Sequence, residues 1–154
     1  MNLDEDPEYY KSLSLRLRDI IEKTAGKWDQ QLDLLLEMVG TIDTEHKQAA
    51  DDLGLSKTEF AFYNILEAEV IEGKNIAVLD EHTSDEIKST VQTLVAMLDE
   101  ATQIVDFFNK TDEVKRMKKE IKRAVLDQSF GEPALVKILQ ERFMDLAKKH
   151  FEKR

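Results

Sequence analysis

Gly54-Leu55-Ser56-Lys57-Thr58-Glu59-Phe60-Ala61-Phe62-Tyr63-Asn64-Ile65-Leu66 joins a helix stop, a helix start and an aromatic face in one stretch. Glycine reaches the left-handed backbone region that ends a helix without a side-chain penalty, and Leu55 follows where a Schellman-type end packs an apolar residue. Ser56 then opens the next helix. Its hydroxyl can accept from the amide of Glu59 while the Glu59 carboxylate accepts from the amide of Ser56, a capping box. Phe60, Tyr63 and Leu66 (or Ile65) continue as one buried face.

Outward from this punctuation the chain reads as helix nearly throughout. Asp6 is a good N-cap, and Pro7 suits the first helical position, where its missing N–H costs nothing. Tyr10, Leu13, Leu17, Ile20 or Ile21, Thr24, Trp28, Leu32, Leu35, Val39 and Ile42 step by three or four without losing phase, which predicts one long N-terminal helix. Gly26 admits a mild break, and Gly40 marks its fraying end. A short helix over about Glu45–Leu53 follows, then the capped helix from Lys57 to about Glu69. The stretch from Val70 to His82 reads as a surface loop with one apolar anchor. Thr83-Ser84-Asp85-Glu86 offers another capping box, ahead of a helix face of Ile87, Val91, Leu94, Val95 and Leu98 that runs to about Thr102. A helix over about Thr111–Asp127, a turn at Gly131-Glu132-Pro133 and a last helix with inner residues Leu135, Ile138, Leu139, Phe143 and Leu146 complete an all-α bundle of five or six helices.

Composition agrees. The 154 residues are 42% hydrophobic, enough for one domain spanning residues 1–154 with a core of its own. With 35% charged residues, 5 Gly and 2 Pro, little turn-rich β structure is expected. Cys is absent, which excludes disulfides, thiolate metal sites and cysteine nucleophiles and suits a reducing compartment. No window reaches the roughly 18 apolar residues of a membrane helix, and the acidic Met1-Asn2-Leu3-Asp4-Glu5-Asp6 is no signal peptide. The cytoplasm is the expected compartment. Net charge is −10 but polarised: residues 1–109 carry 9 Lys and Arg against 24 Asp and Glu, residues 110–154 carry 13 against 8.

Catalysis needs converging groups, and the sequence offers few. No phosphate-cradling glycine loop, His-Glu-x-x-His helix or glycine-flanked serine is present. His46, His82 and His150 are far apart and read as solvated surface residues. Glu72-Gly73-Lys74, expected in a loop, and Glu120-Ile121-Lys122, expected in a helix, echo a nuclease carboxylate–lysine pair but lack a partner Asp on a strand. The pairs Asp51-Asp52 and Asp80-Glu81 lack the alternating spacing of calcium loops. No catalytic residue and no metal ligand is expected.

The basic helix at residues 112–127 is the best binding candidate. Lys115, Lys118, Lys119 and Lys122 fall at i, i+3, i+4 and i+7, with Arg116 and Arg123 at the flanks and Val114, Met117, Ile121 and Val125 opposite. One face packs and the other can meet phosphate or an acidic protein, or simply face water. Phe107 and Phe108, beside Asp106, either plug the core at a helix corner or anchor an interface, and Trp28 carries the same ambiguity.

Three blocks resemble one family. Asp6-Pro7-Glu8-Tyr9-Tyr10-Lys11-Ser12-Leu13-Ser14-Leu15-Arg16-Leu17, the Gly54–Leu66 stretch, and Ile104-Val105-Asp106-Phe107-Phe108 followed by Val114–Arg123 are similar, in order and spacing, to the C-terminal helical region of the R (HsdR) subunit of type I restriction-modification enzymes. The resemblance departs at Phe107, where many members carry Trp, and across Glu72–His82, which matches no family pattern. It implies a non-catalytic domain that docks the ATP-dependent DNA translocase and endonuclease subunit onto a methyltransferase core of modification and specificity subunits. The remaining domains of the parent subunit would hold ATP and magnesium, with no cofactor in this domain. Two alternatives stand beside it: a clamp that contacts the duplex DNA backbone through the basic helix, and an unrelated helical adaptor.

Overall fold

Gly54 adopts φ +71°, and the amide of Leu55 donates to the carbonyl of Ala50 at 2.9 Å, closing the Schellman turn expected there. Both halves of the Ser56–Glu59 capping box form, at 3.1 and 2.8 Å, and Leu55 is buried. The computed structural model describes residues 6–151, apart from the Asp43 side chain. Among them are six α-helices and no strand: α1 Pro7–Lys23, α2 Trp28–Leu53, α3 Lys57–Lys74, α4 Glu81–Ala101, α5 Thr111–Leu126 and α6 Pro133–Phe151. A 3-10 turn at Phe107–Asn109 stands between α4 and α5, so the helical segments number seven rather than five or six.

The largest departure from the sequence reading is at the N-terminus, where the expected single helix is two. Gly26 at φ +82° lets the chain reverse, with the Lys27 amide donating to the Thr24 carbonyl at 2.9 Å. Thr24 and Trp28 are four residues apart, so the apolar phase survives the turn and periodicity could not register it. Conversely, α2 runs unbroken through Gly40 and absorbs the separate short helix expected over Glu45–Leu53. α3 extends past Glu69 to Lys74 and ends on Asn75, a left-handed cap at φ 53°. The loop is therefore shorter than Val70–His82. α4 begins one turn before the Thr83 box because Asp80 wins the cap, its carboxylate accepting from the Thr83 amide at 2.7 Å. That hydrogen bond holds the Asp80 carboxyl below its ordinary range.

α3 is the centre. Phe60, Ala61, Phe62, Tyr63, Ile65, Leu66 and Val70 are all buried, so it is enclosed on every side rather than along one face. It packs on α4 and α6, and α5 closes the ring by packing on both. α6 contributes Val136, Met144 and Ala147 to the core besides the expected Leu135, Leu139, Phe143 and Leu146, while Ile138 faces solvent.

α1 and α2 form a hairpin laid against α3. Two polar clusters fasten its base. Asp6 caps α1, accepting from the Tyr9 amide at 3.3 Å, and its carboxylate also accepts from Asn64 Nδ2 of α3 at 3.1 Å and from His46 Nε2 of α2 at 2.7 Å. His46 is buried between Tyr9 and Phe60, with ring centroids 4.5 and 5.0 Å away, rather than solvated as its sequence context suggested. In the second cluster Arg142 of α6 bridges Glu8 of α1 at 2.5 Å and Glu69 of α3 at 2.7 Å.

Asp6→Ala removes a helix cap and leaves the buried His46 N–H without an acceptor, which together cost about 3 kcal/mol. Urea unfolding is expected to show a lower midpoint with an unchanged slope. A midpoint equal to wild type contradicts the role given to this carboxylate.

Candidate docking surfaces

α5 presents its two faces as the sequence pattern requires: Met117, Ile121 and Val125 are buried and Val114 is half-buried, leaving the basic residues outside. Not all of those charges are available. Lys118 is half-buried and pairs with Glu141 of α6 at 3.3 Å, Arg116 pairs with Glu113 at 3.4 Å, and Arg123 pairs with Glu120 at 3.6 Å. Lys115, Lys119 and Lys122 are exposed and, among the described residues, without an ion-pair partner. Three unneutralised ammonium groups on one helix face make a modest positive strip.

The aromatic candidates separate. Phe107 is buried and Phe108 half-buried, stacked edge to face with centroids 5.1 Å apart, and both pack in the core. Trp28 opens α2 at the tip of the hairpin and is 75% exposed.

Trp28, left open between core and interface by the sequence, belongs to a larger exposed feature. Leu32 is 56%, Leu36 61% and Val39 70% exposed, while Leu15, Leu17 and Ile21 of α1 are exposed as well. Between Ser14 and Thr41 only Thr24 and Met38 are buried. The hairpin is thus a two-helix arm. Its helices meet along Met38 and Gln31, whose Nε2 donates to the Ile21 carbonyl at 3.4 Å, and are tied by Arg16 to Glu45 at 2.9 Å. The hydrogen bond from Arg16 holds the Glu45 carboxyl below its ordinary range. On α2, Trp28, Leu32, Val39, His46 and Ala50 follow one helix face. The part of that face beyond His46 is buried and the part before Thr41 is open. Leu34-Leu35-Leu36 held the available sequence signal: an apolar arc too wide for α1 alone to cover.

The histidines and carboxylates singled out in the sequence fall, among the described residues, at separate places. His82 is exposed beside Glu86 at 3.3 Å, His150 lies beside Thr58 at 3.2 Å, and His46 is buried against Asp6, so each has a different partner. Glu72-Gly73-Lys74 falls in the last turn of α3 instead of a loop, Asp51 and Asp52 are exposed near the end of α2, and Asp80 is occupied as a cap. Among the described residues no three His, Asp or Glu side chains group as metal ligands, and no helix is long and apolar enough to cross a membrane.

If the arm face is unpartnered in the free chain, Leu32→Ser with Val39→Ser changes unfolding free energy by no more than about 0.5 kcal/mol, whereas Met38→Ser costs about 2 kcal/mol or more. Equal losses in thermal or urea unfolding contradict the open face.

Residues 4–149 match the family described as Type I restriction enzyme HindI endonuclease subunit-like, C-terminal. Neither the curated proteins nor the solved structures hold a match to the chain. A match that spans nearly the whole chain, on an all-helical body, agrees with the resemblance carried by the three sequence blocks. The chain belongs to the family of C-terminal domains of type I restriction enzyme endonuclease subunits.

Proposed function

We propose that this chain is a non-catalytic docking domain that seats the endonuclease and translocase subunit on a methyltransferase core of modification and specificity subunits. The observation that carries the reading is the open apolar face of the arm, Trp28 to Val39, on a protein whose remaining large apolar side chains mostly lie inside. A contiguous apolar surface of this kind is uncommon on free-standing monomers and marks protein interfaces. The hairpin is fastened at its base by the Asp6 and Arg142 clusters, so it can transmit force from a moving motor to its anchor without bending at a loop.

The unpaired Lys115, Lys119 and Lys122 favour a second reading, contact with the duplex DNA backbone. Three phosphates neutralised would make log affinity fall with log salt at a slope of about −3. The two readings separate cleanly. Docking predicts capture of the chain by the methyltransferase core without DNA, no duplex affinity by anisotropy at moderate salt, and unchanged assembly after Lys119→Glu with Lys122→Glu. Duplex binding that this double variant abolishes, with no capture by the core, contradicts docking.

A further inference from the structure

We infer that the arm face is a seat for one amphipathic α-helix of another protein, whose apolar ridge is bordered by Lys or Arg. This rests on the docking reading and adds the surface and the partner's chemistry to it. Two observations carry it. The first is continuity: the α2 face that is buried at His46 and Ala50 runs outward through Val39, Leu32 and Trp28 at steps of seven and four residues, which hold to one side of the helix and suit helix-on-helix packing. α1 covers one flank, where Met38 is buried and Glu45 is taken by Arg16. The other flank is open.

The second observation is charge. Asp29, Asp33 and Glu37 each stand one residue after Trp28, Leu32 and Leu36, so these exposed acids form the ridge next to that exposed apolar row, with Asp29 nearest the face and Glu37 turned furthest from Val39. α2 has no Lys or Arg between Trp28 and His46. A helix seated there therefore meets an apolar row and then an acidic row, which selects basic residues at its own border. Nucleic acid is disfavoured by the same acids. A second copy of this chain would bring an acidic flank with no cation of α2 between Trp28 and His46 to answer it.

The test uses the sole tryptophan, Trp28, as reporter. A designed helical peptide with Leu along one ridge and Lys at its borders is titrated into the chain, beside a twin with Glu at the borders. The Lys peptide is expected to shift Trp28 emission to the blue and protect it from acrylamide, the Glu peptide to do neither. Leu32→Glu with Val39→Glu, at exposed positions and with unchanged circular dichroism, should weaken binding by at least about 30-fold, as should truncation of Trp28 to Ala in a core pull-down. Asp29→Lys with Asp33→Lys and Glu37→Lys should reverse the preference between the two peptides. Equal response to both peptides overturns the inference. So does capture by the methyltransferase core that none of the arm variants weakens, and that result leaves docking itself standing. Failure of the core to capture wild type, with the peptide preference intact, sinks the docking reading and keeps the seat. A wild-type dimer in sedimentation that Leu32→Glu with Val39→Glu converts to monomer assigns the face to a second copy and overturns the inference.

Discussion

The carboxylate of Asp6 holds three helices at one point: it caps α1, accepts from Asn64 on α3 and accepts from His46 on α2. Hydrogen bonds to a buried charged group are worth about 1.5–3 kcal/mol, whereas solvent screens an exposed ion pair such as Arg16–Glu45. The base of the arm is therefore set by this buried cluster and by Arg142 between Glu8 and Glu69, and not by the surface pairs along its length. Without it α1 would lie on α3 through packing such as that of Tyr9 on Phe60, which fixes the direction of the arm less sharply.

A fixed base matters because of what lies beyond it. α2 spans 26 residues, roughly 39 Å at 1.5 Å per residue, and crosses from the body to the tip without a break. One end of its apolar face is used to fold and the other is left over. The same chemistry that buries Ala50 makes Trp28, Leu32 and Val39 available to a partner. The basic strip of α5 contributes less than its composition suggests, since half of its six cations are already paired within the domain.

Local signals were legible where one residue type has one physical use. Gly54 and Ser56 mark a stop and a start, Pro133 begins α6, and the two faces of α5 follow from period alone. The signals that failed were competitions between neighbours. Asp80 and the Thr83 box both offer a cap, and in the fold Asp80 takes it while Thr83 is buried in the first turn of α4. Gly26 turns the chain at positive φ while Gly40 and Gly73 sit within helices, so the residue type alone does not tell a turn from a helix interior. The arm was hidden for a related reason: periodicity shows that a face is apolar but not what covers it. His46 lies 40 residues from Asp6, a pairing that no local pattern encodes.

Hydrogen exchange of the chain, free and bound to the methyltransferase core, separates docking through the arm from every other arrangement. The arm predicts new protection over residues 15–39, with amides of α5 unchanged. Protection gained over residues 112–127 while residues 15–39 exchange as in the free chain would contradict it.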